Sequence, residues 1–332
     1  MTRLWRHPGA ATAVAFAVAA IATATGWSAF ADAWTHLHPA WIAVAGCAEA
    51  AAFPAYALAY HSVARVHDGP RLGLTLVGRL VAAGFGAFAV TGGFAIDQRA
   101  FHAIEDDGHG ATVRVLGLGA LEWALLAPAA WASAVALLAS SDPRVMPSLL
   151  WPWAIAVPIG FGIGLWLSRP GRRMRDSDRA AVRAALRGIG VLHALFDTSG
   201  QSFRAWLGTA AYWALDILSF YAALRFIGLA PNAGETILAF ATGYALTRRS
   251  LPLGGAGVTE ALMTYSLHWV GEPVAPALAA VVVYRLFNFV LPTLPALAVR
   301  RHVMPLIRAA EQGGGAGPSS AGPSTAASTS GR

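Results

Sequence analysis

Eight apolar stretches, at 11–31, 41–63, 72–96, 113–138, 149–167, 203–229, 236–253 and 274–299, each come near the roughly 20 residues a helix needs to cross hydrocarbon. Backbone left unpaired at bilayer depth is tolerated only where it is packed in protein or lines a wet cavity, so these stretches are expected as helices. Composition agrees: 56% of residues are apolar and 12% charged, outside the range of soluble domains, and no large soluble domain fits. The chain therefore reads as an all-α, polytopic membrane protein with about eight transmembrane helices.

Charge inside such a chain needs a reason, because an ionised side chain at bilayer depth costs at least a few kcal/mol. Residues 252–292 concentrate the exceptions. Gly254, Gly255 and Gly257 beside Pro252 interrupt the helix, and the segment from Gly254 to Val270 is too short for a ninth span. It reads as a re-entrant half-helix, with residues 92–104 as its counterpart. Glu260 and Arg285 lie on either side of this break. Glu260 has three readings: an ion pair with Arg285, an acceptor for the amine of a cationic headgroup, or a proton carrier; pairing is the first. Arg248 and Arg249, just before the break, have forks that match phosphate oxygens, and free amides after Gly257 would add a favourable helix end. Their alternative is ordinary interfacial arginine reaching for water. Glu49, Glu122 and Asp216 fall near the middle of spans and are expected to face the bundle interior, whereas Arg114 and Arg225 lie close enough to span ends to reach the interface.

The pattern occurs once before in weaker form. Pro70, Gly73, Gly92-Gly93, Gln98, Gly108, Glu122 and Pro128 are matched in order by Pro231, Gly234, Gly254-Gly255, Glu260, Gly271, Arg285 and Pro292. An internal repeat, about 40–140 and about 203–300, is the reading this supports. Chance matches in a chain rich in Gly and Ala are the competing one.

The run LPLGGAGVTEAL, then Gly271, then YRLFNFVLP resembles the C-terminal signature of the lysylphosphatidylglycerol synthase transmembrane family, a flippase-like membrane domain also found alone in bacterial proteins. The resemblance covers 205–300 well and 40–140 less clearly. There the family's Pro-x-Arg-x-Gly-Glu-x-x-Arg pattern is replaced by TGGFAIDQRAF at 91–101, so only Arg99 and Glu122 carry over from that half. The family's aminoacylating relatives perform that chemistry in a separate soluble domain, absent from this sequence. The resemblance implies a multi-pass protein of the bacterial inner membrane.

Other features exclude more than they assign. All basic side chains besides histidine are arginines, the high isoelectric point follows from the positive-inside rule, and no soluble basic face suits nucleic acid. Cys47, the single cysteine, rules out an intrachain disulfide. His36 and His38 lack a third metal ligand nearby, and neither a metal nor another cofactor is expected. Hydrolase, zincin and nucleotide-binding motifs are missing, so no enzyme is expected. Gly160 and Gly164 suggest helix packing. Residues 1–31 are a retained span or a cleaved signal; 1–310 form the membrane domain, and 311–332, rich in Gly, Ser, Pro and Ala, a disordered tail. Residues 178–196 read as an amphipathic helix on the membrane surface or a plain connector.

Orientation carries a contradiction. The arginine-rich 169–187 loop, Arg3 with Arg6, Arg65 with Arg71, and Arg300 with Arg301 all favour the cytoplasm, yet three counted spans separate residue 71 from 169. Either one basic loop is outside or one counted span is a hairpin that returns to its own side, with inverted repeats. The function expected is translocation of a phospholipid or polyprenyl-lipid substrate between leaflets. Its substrate site would be built from Arg248, Arg249, Gly254, Gly255, Gly257, Glu260 and Arg285, with Arg99, Glu122 and Asp216 secondary. The alternative is a non-transporting scaffold for an envelope lipid or polysaccharide enzyme, and homo-oligomers or such a partner enzyme stay open.

Overall fold

The computed structural model describes residues 9–35, 37–66, 69–85, 93–105, 108–169, 171, 179–197, 199–245 and 255–313, and among these every regular element is helical. Among the described residues five helical stretches are long and apolar enough to cross a membrane: Ala40–Ala64, Gly110–Ser140, Pro147–Leu167, Phe203–Ile227 and Val274–Val299. Thr12–Thr25 and Leu74–Gly84 are apolar but shorter.

Two antiparallel helices, α3 (Ala40–Ala64) and α10 (Ser199–Ile227), form the centre. Small residues let their backbones touch: a Cβ on Gly208 would lie 2.7 Å from Ala59 N and 2.8 Å from Ala55 O. Tyr56 packs edge-on against Tyr212 with ring centroids 5.1 Å apart, Trp41 meets Tyr221 and Arg225 at one end, and His61 feels Arg204 at the other.

Around this pair stand two short hairpins that open to opposite ends. In the first, α4 (Leu74–Gly84) runs back along α3, placing Phe85 against Phe53 and Tyr56 at mid-length. Then α5 (Gly93–Glu105) returns, stacking Phe101 on Tyr60 and donating Gln98 Nε2 to Thr112 Oγ1 at the start of α6 (Gly108–Ser140). In the second, α11 (Ala233–Phe240) continues through a π-helical turn, Ala241–Ala245, and α12 (Val258–Trp269) comes back along it. Gly243 makes this possible, since a Cβ there would sit 2.5 Å from Met263 Cα. Both feet of this hairpin meet Arg144 in the loop after α6: Glu235 at 3.4 Å, and Gly271, whose φ of +104° presses its backbone against the arginine.

The remaining elements join the ends. α1 (Gly9–Thr25) stops at Gly26, whose φ is +94°, and α2 (Trp27–Asp32) follows; Ile21 and Ala22 bury against Leu278. α7 (Pro147–Trp151), a π turn over Pro152–Ala156 and α8 (Val157–Leu167) carry the chain back from the Arg144 end. α9 (Ala180–Asp197) buries Leu186, Val191, Leu192 and Leu195. A Cβ on its Gly188 would come within 2.5 Å of Leu116 Cβ, so α9 packs closely on α6. α13 (Val274–Arg285), a π turn over Leu286–Val290 and α14 (Thr293–Gly313) complete the bundle, bringing Arg301 and His302 beside Arg79.

The structure thus departs from the eight expected spans at particular places. Stretch 72–96 is two helices, α4 ending at Gly84 where Phe85 turns extended and α5 starting at Gly93. Stretch 236–253 is helical through Ala245, with 246–254 outside the described residues. Stretch 11–31 breaks at Gly26. Of Gly160 and Gly164, expected at a helix contact, Gly160 has nothing within 4 Å of a Cβ, whereas a Cβ on Gly164 would touch Ile189 Cδ1 of α9 at 3.6 Å. The 310/311 boundary falls inside α14, and residues 314–332 of the expected tail, like 1–8, lie outside the described residues. Because α4 and α5 return to the end they start from, the traverses between Arg71 and Arg169 become even in number. Arg65, Arg114 and Arg204 lie together at that end, and Arg79 lies beside Arg301.

Candidate functional site

Arg285 is the last residue of α13, and the π turn that follows widens the helix enough to aim Asn288 at the same interior space. Glu260 reaches that space from the first turn of α12. Arg285 Nε donates to Glu260 Oε1 at 2.6 Å, with side-chain exposures of 5% and 0%. The other Glu260 oxygen accepts the backbone N–H of Gly257 at 2.5 Å, a carboxylate closing its own helix start. Gly257 has a φ of +85° and backs onto Ala13 O, a place and conformation suited to glycine. The guanidinium lies 4.2 Å over the Phe289 ring and donates a long Nη1 bond, 3.5 Å, to Asn288 Oδ1.

From Asn288 the network extends to three more helices. Its Oδ1 accepts from Tyr244 Oη at 2.7 Å, from the π turn after α11. Its Nδ2 donates to Glu49 Oε1 on α3 at 3.0 Å and to Asp216 Oδ1 on α10 at 3.3 Å. Asp216 accepts further bonds from Tyr284 at 2.6 Å and Tyr212 at 2.7 Å. Glu49, Asp216, Glu260, Arg285 and Asn288 are all buried, with the aromatic rings of Phe220, Phe240, Tyr244 and Tyr284 packed around them. Buried polar groups are tolerable when joined in this way, and the network ties five parts of the chain to one point.

Glu49 also borders a cavity of about 790 Å³, whose other walls are Phe53, Pro54, Leu58, Leu74, Val81, Phe287, Leu291 and further apolar or glycine residues of α3, α4 and the start of α14. The groove runs from the side of the bundle to the polar network.

Two other polar groups lie at the ends. Toward the arginine-rich end, Asp97 is fully buried on α5 beside Tyr60. At the opposite end Arg144 pairs with Asp142 at 2.7 Å, holding that carboxyl below the ordinary range through the hydrogen bonds it donates. Glu272 is pushed up there, first by burial and then by Glu235, with Arg144 opposing.

Of the residues singled out in the sequence, Glu260 and Arg285 meet directly, and Gly257 joins them through its amide. That amide is engaged by Glu260. Gly255 sits one turn before α12 with a φ of +70°. Arg248, Arg249 and Gly254 lie outside the described residues. Asp216 belongs to the network through Asn288. Glu122 is buried on α6, where its carbonyl accepts Trp213 Nε1 at 2.9 Å, and Arg99 belongs to α5. In the first half the buried acid of the short helix is Asp97, while Gln98, matched to Glu260 in the repeat alignment, is exposed. Sequence reasoning missed Asn288, Tyr212, Tyr244 and Tyr284; Asn288 stood inside the quoted YRLFNFVLP run, but a neutral amide there carries no signal of its own.

A protein-family model described as lysylphosphatidylglycerol synthase TM region matches residues 111–296, more than half of the chain. The match takes in α10 to α13 and the π turn with Asn288. Comparison with curated proteins found no match.

Proposed function

Since the chain belongs to the lysylphosphatidylglycerol synthase transmembrane-region family, a family of multi-pass membrane proteins, we propose that it translocates an amphiphilic lipid or lipid-linked substrate between leaflets. The observation that carries this reading is the junction at Glu49: a lateral apolar groove leading to a buried network of three carboxyl groups, one guanidinium and an amide. A passive scaffold has no need of such a junction, whereas a carrier must shelter a headgroup at mid-depth while the aliphatic part stays in apolar surroundings.

On this reading the α4–α5 and α11–α12 hairpins are re-entrant elements entering from opposite faces, an inverted pair. The arginine-rich end is cytoplasmic, and the membrane is the bacterial inner membrane. Glu260 and Arg285 fix the start of α12 against α13, and Glu49, Asp216 and Asn288 face the headgroup; Arg248 and Arg249 keep the phosphate-binding role read from the sequence. Rocking of the hairpins against the α3–α10 pair changes leaflet access, with the π turns at 241–245 and 286–290 as the places where helices yield. The chemistry is movement and not turnover.

The test is leaflet exchange of a fluorescent phospholipid in liposomes holding the purified protein. Wild type should speed exchange well above empty liposomes, and Asn288→Leu, scored on the protein that elutes folded, should return it to background. Exchange no faster than in empty liposomes, for every lipid class tried, would overturn the proposal and favour a scaffold.

A further inference from the structure

Between α10 and the start of α11 lies a pocket of about 350 Å³ that shares no lining residue with the Glu49 groove. Its size falls in the range of about 300–1,000 Å³ usual for small-molecule sites. On α10 the wall is Ala214, Ile217, Leu218 and Tyr221, at helical spacings of three and four, and Arg225 is the next residue in that series. Residues so spaced share one face of a helix, which places Arg225 on the pocket's face, one turn beyond Tyr221. The apolar span on this helix is Phe203–Ile227. Arg225 therefore lies about 3 Å from its end at 1.5 Å per residue, at headgroup depth.

Arg225 is built into the helix packing. Its guanidinium carbon lies 5.7 Å over the Trp41 ring, and Trp41 meets Tyr221 edge-on with centroids 5.9 Å apart. Its Nε is buried and has no hydrogen-bond acceptor among the described residues. An arginine that merely reaches for the interface keeps its head wet, so the dry Nε marks a group held in place. A guanidinium resting by its face on an aromatic ring keeps its N–H edge for an oxyanion, and phosphate fits that fork. The other side of the pocket adds a donor. Asn232 commits its Oδ1 to the Glu235 amide at 2.9 Å, so its NH2 is the part that can donate to a ligand. Ile217, Leu218 and Ile237 make the rest of the wall apolar.

We propose that this pocket binds a phospholipid, with one aliphatic chain lying along Ala214 to Leu218 and the phosphate at Arg225, Tyr221 and Asn232. The cation selects the phosphate and the apolar wall selects the chain, so a free anion meets only half of the site. The lipid is held at the end of the bundle where Glu235 meets Arg144 and the second hairpin begins. The site stands whether or not lipid crosses the membrane.

The test is native mass spectrometry of the full-length purified protein titrated with dimyristoylphosphatidic acid and, separately, with dimyristoylglycerol, which differs from it only by the phosphate. Wild type should hold one phosphatidic acid roughly tenfold or more tightly than the diacylglycerol. Arg225→Gln should remove that preference. Leu218→Trp, which fills the pocket and leaves the arginine, should weaken phosphatidic acid by a similar factor, and it decides alone if Arg225→Gln does not fold. Arg144→Gln, which removes an exposed arginine at the same end, should bind as wild type does. Equal affinity for the two lipids, unchanged binding in the pocket variants, or an equal loss in Arg144→Gln overturns the proposal. So does an Arg225-dependent affinity for inorganic phosphate as high as that for the lipid. Phosphatidic acid bound here by a protein that gives no leaflet exchange would strike the translocation reading alone.

Discussion

Cutting the Glu260–Arg285 pair tests the architecture at its most buried charged contact. The side chains are 0% and 5% exposed and meet at 2.6 Å, so removing one leaves the other charged and stranded. Loss of one member of a buried pair costs about 3–5 kcal/mol, which at about 1.4 kcal/mol per decade is roughly a hundred- to a few-thousand-fold in the folding equilibrium. Glu260→Gln keeps an oxygen for the Gly257 amide, so its loss is mainly that of the charge. Arg285→Gln also gives up the Phe289 ring and the Asn288 contact and should cost about 1 kcal/mol more. Both changes together leave two neutral amides that can bond each other, so the double variant should be less damaged than either single one. That ordering requires a coupling larger than the larger single loss, about 4–6 kcal/mol, within the range for close charge pairs. Equilibrium unfolding in mixed micelles, followed by tryptophan fluorescence, gives all four corners of the cycle. A coupling within about 0.5 kcal/mol of zero would refute the argument.

Two further outcomes follow from the ends of the bundle. Glu272 is held above its ordinary value of 4.5, so its contribution is intact while the group is protonated and is lost as pH rises. Glu272→Gln should leave the thermal midpoint unchanged near pH 4 and raise it progressively above pH 4.5, and a gain that instead shrinks with pH would contradict the burial of that carboxyl. In a Cys47→Ser background, Arg175→Cys should resist impermeant thiol reagents in intact cells while Pro143→Cys, at the exposed opposite end, reacts; the reverse pattern would invert the orientation.

Membrane class, helical architecture and the Glu260–Arg285 partnership were legible in the sequence for one physical reason. Charge is so costly in hydrocarbon that an acid and a base in apolar surroundings must be accounted for, and each was the other's nearest solution. Span counting was less secure, because hydropathy records how apolar a stretch is and not whether it crosses or turns back. Residues 72–96 are apolar enough throughout, yet the chain leaves the helix at Phe85 and returns along α5, and only the packing of Phe85 on Phe53 and of Phe101 on Tyr60 reveals it. That return brings the arginine-bearing ends together. The wider network was likewise a tertiary outcome. Tyrosine and asparagine stand in spans for many reasons, and nothing local distinguishes Tyr212, Tyr244, Tyr284 or Asn288 from side chains packed elsewhere. Their role arises because the α3–α10 contact at Gly208 and the π turn after Arg285 bring Glu49, Asp216 and Asn288, residues up to 239 apart in the chain, within hydrogen-bond reach at one buried point.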